Sequence, residues 1–151
     1  MLFHFGDTIA EIDTESTRNY YHTTKYINTC ACLGCQNFRQ WTKYCLPEVL
    51  EQFQKFGIDD MNQITEIIPF GTKMEEYKRN NGMLYGGFYH VVGKIKEYGV
   101  NSDLTLSSNF GIFIPEYTSP SLPDFPDPVL QIEICAYIPW VIAASMENYI
   151  N

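Results

Sequence analysis

From Leu130 the stretch Val129-Leu-Gln-Ile-Glu-Ile-Cys-Ala-Tyr-Ile138 alternates: Leu130, Ile132, Ile134, Ala136 and Ile138 fall on one side, Gln131, Glu133, Cys135 and Tyr137 on the other. Successive side chains of a β-strand point to opposite faces, so this period of two predicts a strand with one apolar and one mixed face. Half-buried strands of that kind belong to antiparallel sheets. Just upstream, Pro120, Pro123, Pro126 and Pro128 cannot donate to a ladder, and Ser119–Pro128 is expected to run extended over the surface. Met83–Ile95 and Phe110–Pro115 read as further strands. Leu2–Ile12, Tyr20–Asn28 and Gln63–Phe70 are shorter strand-like segments, the last closed by Pro69. Asn81-Gly82 reads as a turn.

Between these segments the period changes. Phe38, Trp41, Cys45, Val49, Leu50, Phe53 and Phe56 recur at spacings near three and four, the stripe of an amphipathic helical region that begins at Gln36. Pro47 fits the first turn of a second helix, where its missing N–H costs nothing, and Glu48 and Glu51 suit the positive end of that helix. Gly57 followed by Ile58 predicts a Schellman ending. Lys73–Asn80 is a charged helical turn or a loop. The sum is an α+β fold, a mainly antiparallel sheet with a helical hairpin packed on it, in a single domain over residues 1–151.

The composition excludes several classes. Intrinsic disorder is incompatible with 45% hydrophobic residues and with 11 Tyr, 10 Phe and 2 Trp. The net charge is −8, and all ten Lys and Arg lie between Arg18 and Lys96, leaving residues 1–17 and 97–151 with acids alone. A binder of nucleic-acid backbones needs clustered cations, so direct nucleic-acid binding is not expected. Pro128–Ala144, the most apolar stretch, is interrupted by Gln131, Glu133 and Pro139 and does not read as a membrane span. Met1–Asp7 does not read as a secretory signal, so a cytoplasmic setting with reduced thiols is expected. If the acidic ends lie in one sheet, the fold presents an acidic face.

In that setting five Cys point to metal or thiol chemistry rather than to disulfides. Cys30-Ala-Cys32-Leu-Gly-Cys35 brings three thiols within six residues, with Gly34 allowing the chain to turn, and Cys32-x-x-Cys35 has the spacing of a zinc knuckle. The loop is therefore expected to be clipped by zinc. A tetrahedral site needs a fourth ligand, drawn from His90, Cys45, His22, His4 and Cys135. Cys45 on the helical stripe and Cys135 in its strand read as packed residues. His90, on the strand face it shares with Phe88 and Val92, is the expected fourth ligand, giving Cys30, Cys32, Cys35 and His90. The competing reading is a redox Cys32/Cys35 pair at a helix start, which leaves Cys30 without a role.

No catalytic constellation accompanies the thiols. Tyr85-Gly86-Gly87-Phe88-Tyr89-His90-Val91-Val92-Gly93 has glycines but matches no phosphate-binding loop. The Ser residues lack a nucleophile elbow, and Glu133 reads as a paired or solvent-facing carboxylate.

Three stretches together resemble a group of small uncharacterised proteins of bacteria and their phages. They are Cys30-x-Cys32-x-x-Cys35-x-Asn37-Phe38 with Pro47-Glu48 and Gly57-Ile58-Asp59, then Tyr85-Gly86-Gly87-Phe88-Tyr89-His90-x-x-Gly93, and Phe125-Pro126-x-Pro128-x-x-Gln131-x-Glu133 ending at Pro139-Trp140. The resemblance brings no activity with it. It implies that His90 and the three Cys belong to one pattern, in a bacterial or phage cytosol.

The expectation for function is a zinc-stabilised acidic binding module, not an enzyme, whose partner is a basic protein. A specific form is a phage or immunity-type inhibitor that occupies the positively charged groove of a nucleic-acid enzyme. The alternative is a metal-dependent hydrolase or a thiol oxidoreductase using Cys32 and Cys35.

Overall fold

In the computed structural model, which describes residues 1–150, the alternating stretch is one uninterrupted strand. The elements in chain order are β1 (Leu2–Phe5), β2 (Thr8–Ile12), α1 (Thr14–Thr24), α2 (Leu33–Trp41), α3 (Pro47–Phe56), β3 (Glu66–Pro69), α4 (Met74–Asn80), β4 (Met83–Glu97), β5 (Asp103–Ser107), β6 (Phe110–Phe113) and β7 (Val129–Ile138). All strands pair antiparallel, in the order β1-β2-β4-β7-β6-β5 with β3 beside β4. The α+β class expected from the two hydrophobic periods is the class observed.

The 15-residue β4 organises the sheet. Along one edge it pairs with β7 from Met83 to Val92; along the other it pairs first with β3 at Tyr85–Phe88 and then with β2 from Gly93 onward. The interval between β3 and β2 would leave backbone groups unpaired, a cost comparable to lost hydrogen bonds. Helix α1 fills it. The Tyr21 hydroxyl donates to the His90 carbonyl at 2.6 Å, the Val92 N–H donates to Thr17 Oγ1 at 2.9 Å, and the Asp13 N–H donates to the Val92 carbonyl at 2.8 Å.

The Tyr20–Asn28 strand expectation is thereby corrected, because most of that segment is the end of α1 and the loop after it. Asp13 starts the helix: its carboxylate accepts from the Ser16 N–H at 2.9 Å and the Ser16 hydroxyl at 2.8 Å. Thr17, Tyr20 and Tyr21 then share one buried helical face. Leu2–Ile12 is likewise two strands, a hairpin turning at Gly6-Asp7.

The helical region comprises α2, a 3₁₀ turn at Thr42–Tyr44, and α3. Helix α2 begins at Leu33, ahead of the expected Gln36, because Cys32 caps it. Pro47 is in the first turn of α3 as expected. The Schellman ending is also present: the Ile58 N–H donates to Phe53 and the Gly57 N–H to Gln54, with Gly57 at φ 99°. Val49, Phe53 and Phe56 are buried on one side of α3, each contributing roughly 1.5–3 kcal/mol of burial. Phe53 packs against Tyr89 at 4.8 Å between ring centroids, Phe38 against Tyr85 at 6.0 Å and Trp41 against Phe110 at 5.9 Å, which seats the helical pair on one face of the sheet. The apolar face of β7 lies in the same core, with Ile132, Ile134, Ala136 and Ile138 buried. Buried side chains form a cluster running from Phe5 to Ile150. Among the described residues no helix is long and apolar enough to cross a membrane.

The opposite face of β4 and β7 is covered only in part. The Pro-rich segment crosses it near His90, where Phe125 packs against the imidazole at 6.1 Å and the Ser119 N–H donates to Gln131 Oε1 at 2.6 Å. The rows beyond, toward Glu133 and Cys135, are partly open to solvent.

Candidate metal centre

The thiol loop is held by its neighbours from below. Gly34 packs so tightly on Pro69 that a Cβ there would lie 2.5 Å from that ring, so the start of α2 sits flush against β3. The Tyr85 hydroxyl donates to the Gly34 carbonyl at 2.7 Å, and the Gly34 N–H donates to the Tyr149 hydroxyl at 3.2 Å. Asn37, fully buried, donates to the Tyr85 hydroxyl at 3.2 Å and to the Pro139 carbonyl at 3.1 Å, and accepts from the Val141 N–H at 2.6 Å. Arg39 reaches back to the loop, donating to the Asn28 carbonyl at 3.2 Å and to the Cys30 carbonyl at 2.7 Å.

With the backbone fixed in this way, the sulfurs of Cys30, Cys32 and Cys35 lie within 4.8 Å of one another, and those of Cys30 and Cys32 are 3.5 Å apart. Thiolates at about 2.3 Å from a tetrahedral zinc ion are separated by about 3.8 Å, so this donor set fits such an ion after small side-chain rotations. Cys35 is buried, whereas Cys30 and Cys32 are exposed. The Cys35 N–H donates to Cys32 Sγ at 3.4 Å. Burial pushes the Cys32 thiol up, but that N–H, together with hydrogen bonds from the side chains of Cys35, Cys30 and Tyr149, outweighs it and brings Cys32 down to about 7. Burial pushes Cys35 strongly up, and hydrogen bonding and charge from Cys32 and Cys30 add to that. The Cys32 sulfur thus carries negative charge more readily than that of Cys35, and the positive end of α2 lies beside it. The group is suited to binding a thiophilic metal ion.

The structure brings the three Cys together and leaves the expected fourth ligand elsewhere. His90 is fully buried, with Nδ1 3.0 Å from Thr65 Oγ1 and Nε2 3.3 Å from Gln131 Oε1. Burial depresses its pKa, partly offset by the Gln131 and Ser119 hydrogen bonds. Both ring nitrogens are engaged, and the face it shares with Phe88 lies under Phe125 rather than under the thiol loop. Among the described residues no other His, Cys, Asp or Glu joins the three thiols. Cys45 is half-buried beyond the 3₁₀ turn, where burial raises its thiol pKa. Cys135 is exposed on the open sheet face, His4 lies in β1, and His22 Nε2 pairs with Asp59 at 2.7 Å. Tyr85, Asn37, Arg39 and Tyr149, which hold the site, escaped the sequence reading. Asn37 stood in the motif without a role, and Tyr149 has no local signal at all.

The open sheet face carries a second feature. Register places Glu66, Phe88, Glu133, Phe113 and Asp103 in one row across β3, β4, β7, β6 and β5, acids alternating with phenyl rings, of which Phe88 is buried and Phe113 half-buried. The next row is Ile68, Gly86, Cys135, Gly111 and Thr105, with the Phe70 ring lying close over Gly86. At the β5 end, Asp103, Glu116, Glu133, Phe113 and Tyr117 line a cleft of about 600 Å³. The described ion pairs involve none of Glu66, Asp103, Glu116 and Glu133. The acidic ends do share one sheet, but two of the four N-terminal acids are used locally: Asp13 caps α1 and Glu11 pairs with Lys96 at 3.9 Å. Of the C-terminal acids, Asp103, Glu116 and Glu133 lie at the open sheet face with Glu66.

Comparison with protein-family models, with curated proteins and with solved structures finds no match for the chain.

Proposed function

We propose that the protein is a binding module whose thiol loop is clipped by one zinc ion on Cys30, Cys32 and Cys35, and whose open acidic face receives a basic segment of a partner protein. The observation that carries the reading is the convergence of the three sulfurs within 4.8 Å on a rigidly supported helix start. Zinc is favoured over harder divalent ions because all three donors are thiolates. When bound, the ion supplies a covalent clip between the loop and α2. Arg39, Tyr85 and Asn37 hold the backbone that presents the thiols, and the Cys35 N–H and Tyr149 stabilise the Cys32 thiolate.

The partner's chemistry is read from the cleft carboxylates Asp103, Glu116 and Glu133 and the rings of Phe113 and Tyr117 beside them, to which Lys or Arg side chains are complementary in charge and through cation–π contact. Inhibition of a nucleic-acid enzyme is a specific form of this reading that rests on charge alone, and a bacterial or phage cytosol rests on the resemblance of the Cys loop and its two companion segments.

A thiol oxidoreductase is the second reading, favoured by one observation: Cys32 caps a helix and is brought down to about 7 while Cys35 lies buried behind it. Metal analysis of the purified chain, of Cys30→Ser and of His90→Ala decides between them. The module predicts one zinc per chain, lost in Cys30→Ser and kept in His90→Ala. A metal-free protein that forms a reversible Cys32–Cys35 disulfide supports the oxidoreductase and overturns the module.

A further inference from the structure

We infer that the metal held by Cys30, Cys32 and Cys35 keeps one coordination position for a neutral nitrogen donor from outside the described chain, such as the imidazole of a partner's histidine. The inference rests on the zinc-clip reading and goes beyond it, because it concerns what completes the site.

Three observations carry it. The first is the donor count: within the described residues only three ligating side chains converge, whereas a tetrahedral ion takes four ligands. The second is that the other histidines and cysteines lie elsewhere in the fold, His4 among them in strand β1 opposite Ile9. Both nitrogens of His90 are hydrogen-bonded under the Pro-rich segment, His22 is paired with Asp59, Cys45 lies beyond the 3₁₀ turn, and Cys135 sits between Gly86 and Gly111 on the open sheet face. The third is directional. Cys35 is buried beneath the loop while Cys30 and Cys32 are exposed, so the ion would be anchored from the protein side and reached from solvent.

Charge selects the class of the incoming ligand. Three thiolates around a divalent ion carry one surplus negative charge, within a chain whose net charge is already −8. A neutral imidazole leaves that surplus unchanged, whereas an anionic donor doubles it. Repulsion between unit charges about 4 Å apart in a water-like medium corresponds to roughly a five-fold loss of affinity. A borderline nitrogen donor also matches zinc and cobalt better than a water oxygen does.

The test loads the full chain with Co(II), whose thiolate charge-transfer bands report binding and whose ligand-field bands report the fourth ligand. Imidazole and azide are then titrated separately into the wild type and into His90→Ala. The expected result is a saturable one-to-one change in the ligand-field bands with imidazole, about five-fold tighter than with azide, and the same in both proteins. Cobalt–thiolate bands that stay indifferent to imidazole show a closed site, which overturns the inference while the metal clip stands. A response confined to His90→Ala makes His90 the fourth ligand and overturns it as well, and azide binding as tightly as imidazole overturns the choice of a neutral donor. If no cobalt–thiolate bands form, the metal reading fails and the inference falls with it.

Discussion

Replacing Asn37 with Ala removes the strut that ties the start of α2 to β4 and to the chain beyond β7. Three hydrogen bonds go, those to the Tyr85 hydroxyl, the Pro139 carbonyl and the Val141 N–H. Tyr85 keeps its bond to Gly34, so its hydroxyl is not left without a partner. The Pro139 and Val141 backbone groups are partly buried and rehydrate incompletely, at about 1 kcal/mol each, and the lost packing of a fully buried side chain adds about as much again. The expected loss is about 3 kcal/mol, which for a chain of this length lowers the Tm by about 6–12 °C. Thermal and urea unfolding measure it. A double-mutant cycle with Tyr85→Phe should return a coupling of about 1 kcal/mol, since the two side chains share one hydrogen bond. A loss under about 0.5 kcal/mol, or additive effects, would refute the claim that this network fixes the helix start beneath the thiols.

Other consequences follow from single contacts. Gly57→Ala places a Cβ at φ 99° and 2.5 Å from the Thr14 carbonyl, and should cost about 2 kcal/mol or more, read as a lower urea midpoint. Burial raises the Asp59 pKa, but hydrogen bonds and charge from Arg18 and His22 outweigh it and hold the carboxyl below 3.8. A depressed carboxylate contributes stability that is present above its unfolded pKa and is lost as pH falls through the folded value. The stability gap between wild type and Asp59→Asn should therefore close as pH is lowered below 3.8, and a gap that widens there contradicts the pairing. Glu133→Gln combined with Asp103→Asn should weaken low-salt association with an arginine-rich decapeptide and flatten its salt dependence, measured by fluorescence anisotropy.

The parts of this molecule that were legible in its sequence are those whose physics is local. Leu130 to Ile138 alternates because one sheet face is core and the other is not, and Gly57-Ile58 ends a helix by backbone geometry that two residues determine. The three thiols are close in sequence, so their convergence needed only a turn at Gly34. Helix α1 was obscured because Tyr20, Tyr21 and Tyr26 are residue types that favour strands, while the decisive signal was a single capping carboxylate at Asp13. Strand β5 went unread since Leu104 and Leu106 are only half-buried at a sheet edge. His90 was matched to the thiols by its residue type, its strand face and the resemblance, none of which says where that face lies in the fold. Which surface covers its side of β4 depends on Phe125 and Ser119, more than 25 residues away in a loop with no periodicity to follow.

The central claim is that one metal ion occupies Cys30, Cys32 and Cys35. Alkylation of the native protein with and without equimolar zinc, mapped by peptide mass, tests it most directly because Cys30, Cys32 and Cys135 are all exposed and serve as each other's controls. Zinc should protect Cys30 and Cys32 and leave Cys135 as reactive as before. Equal reactivity of all three thiols in both conditions, or protection that includes Cys135, contradicts the account.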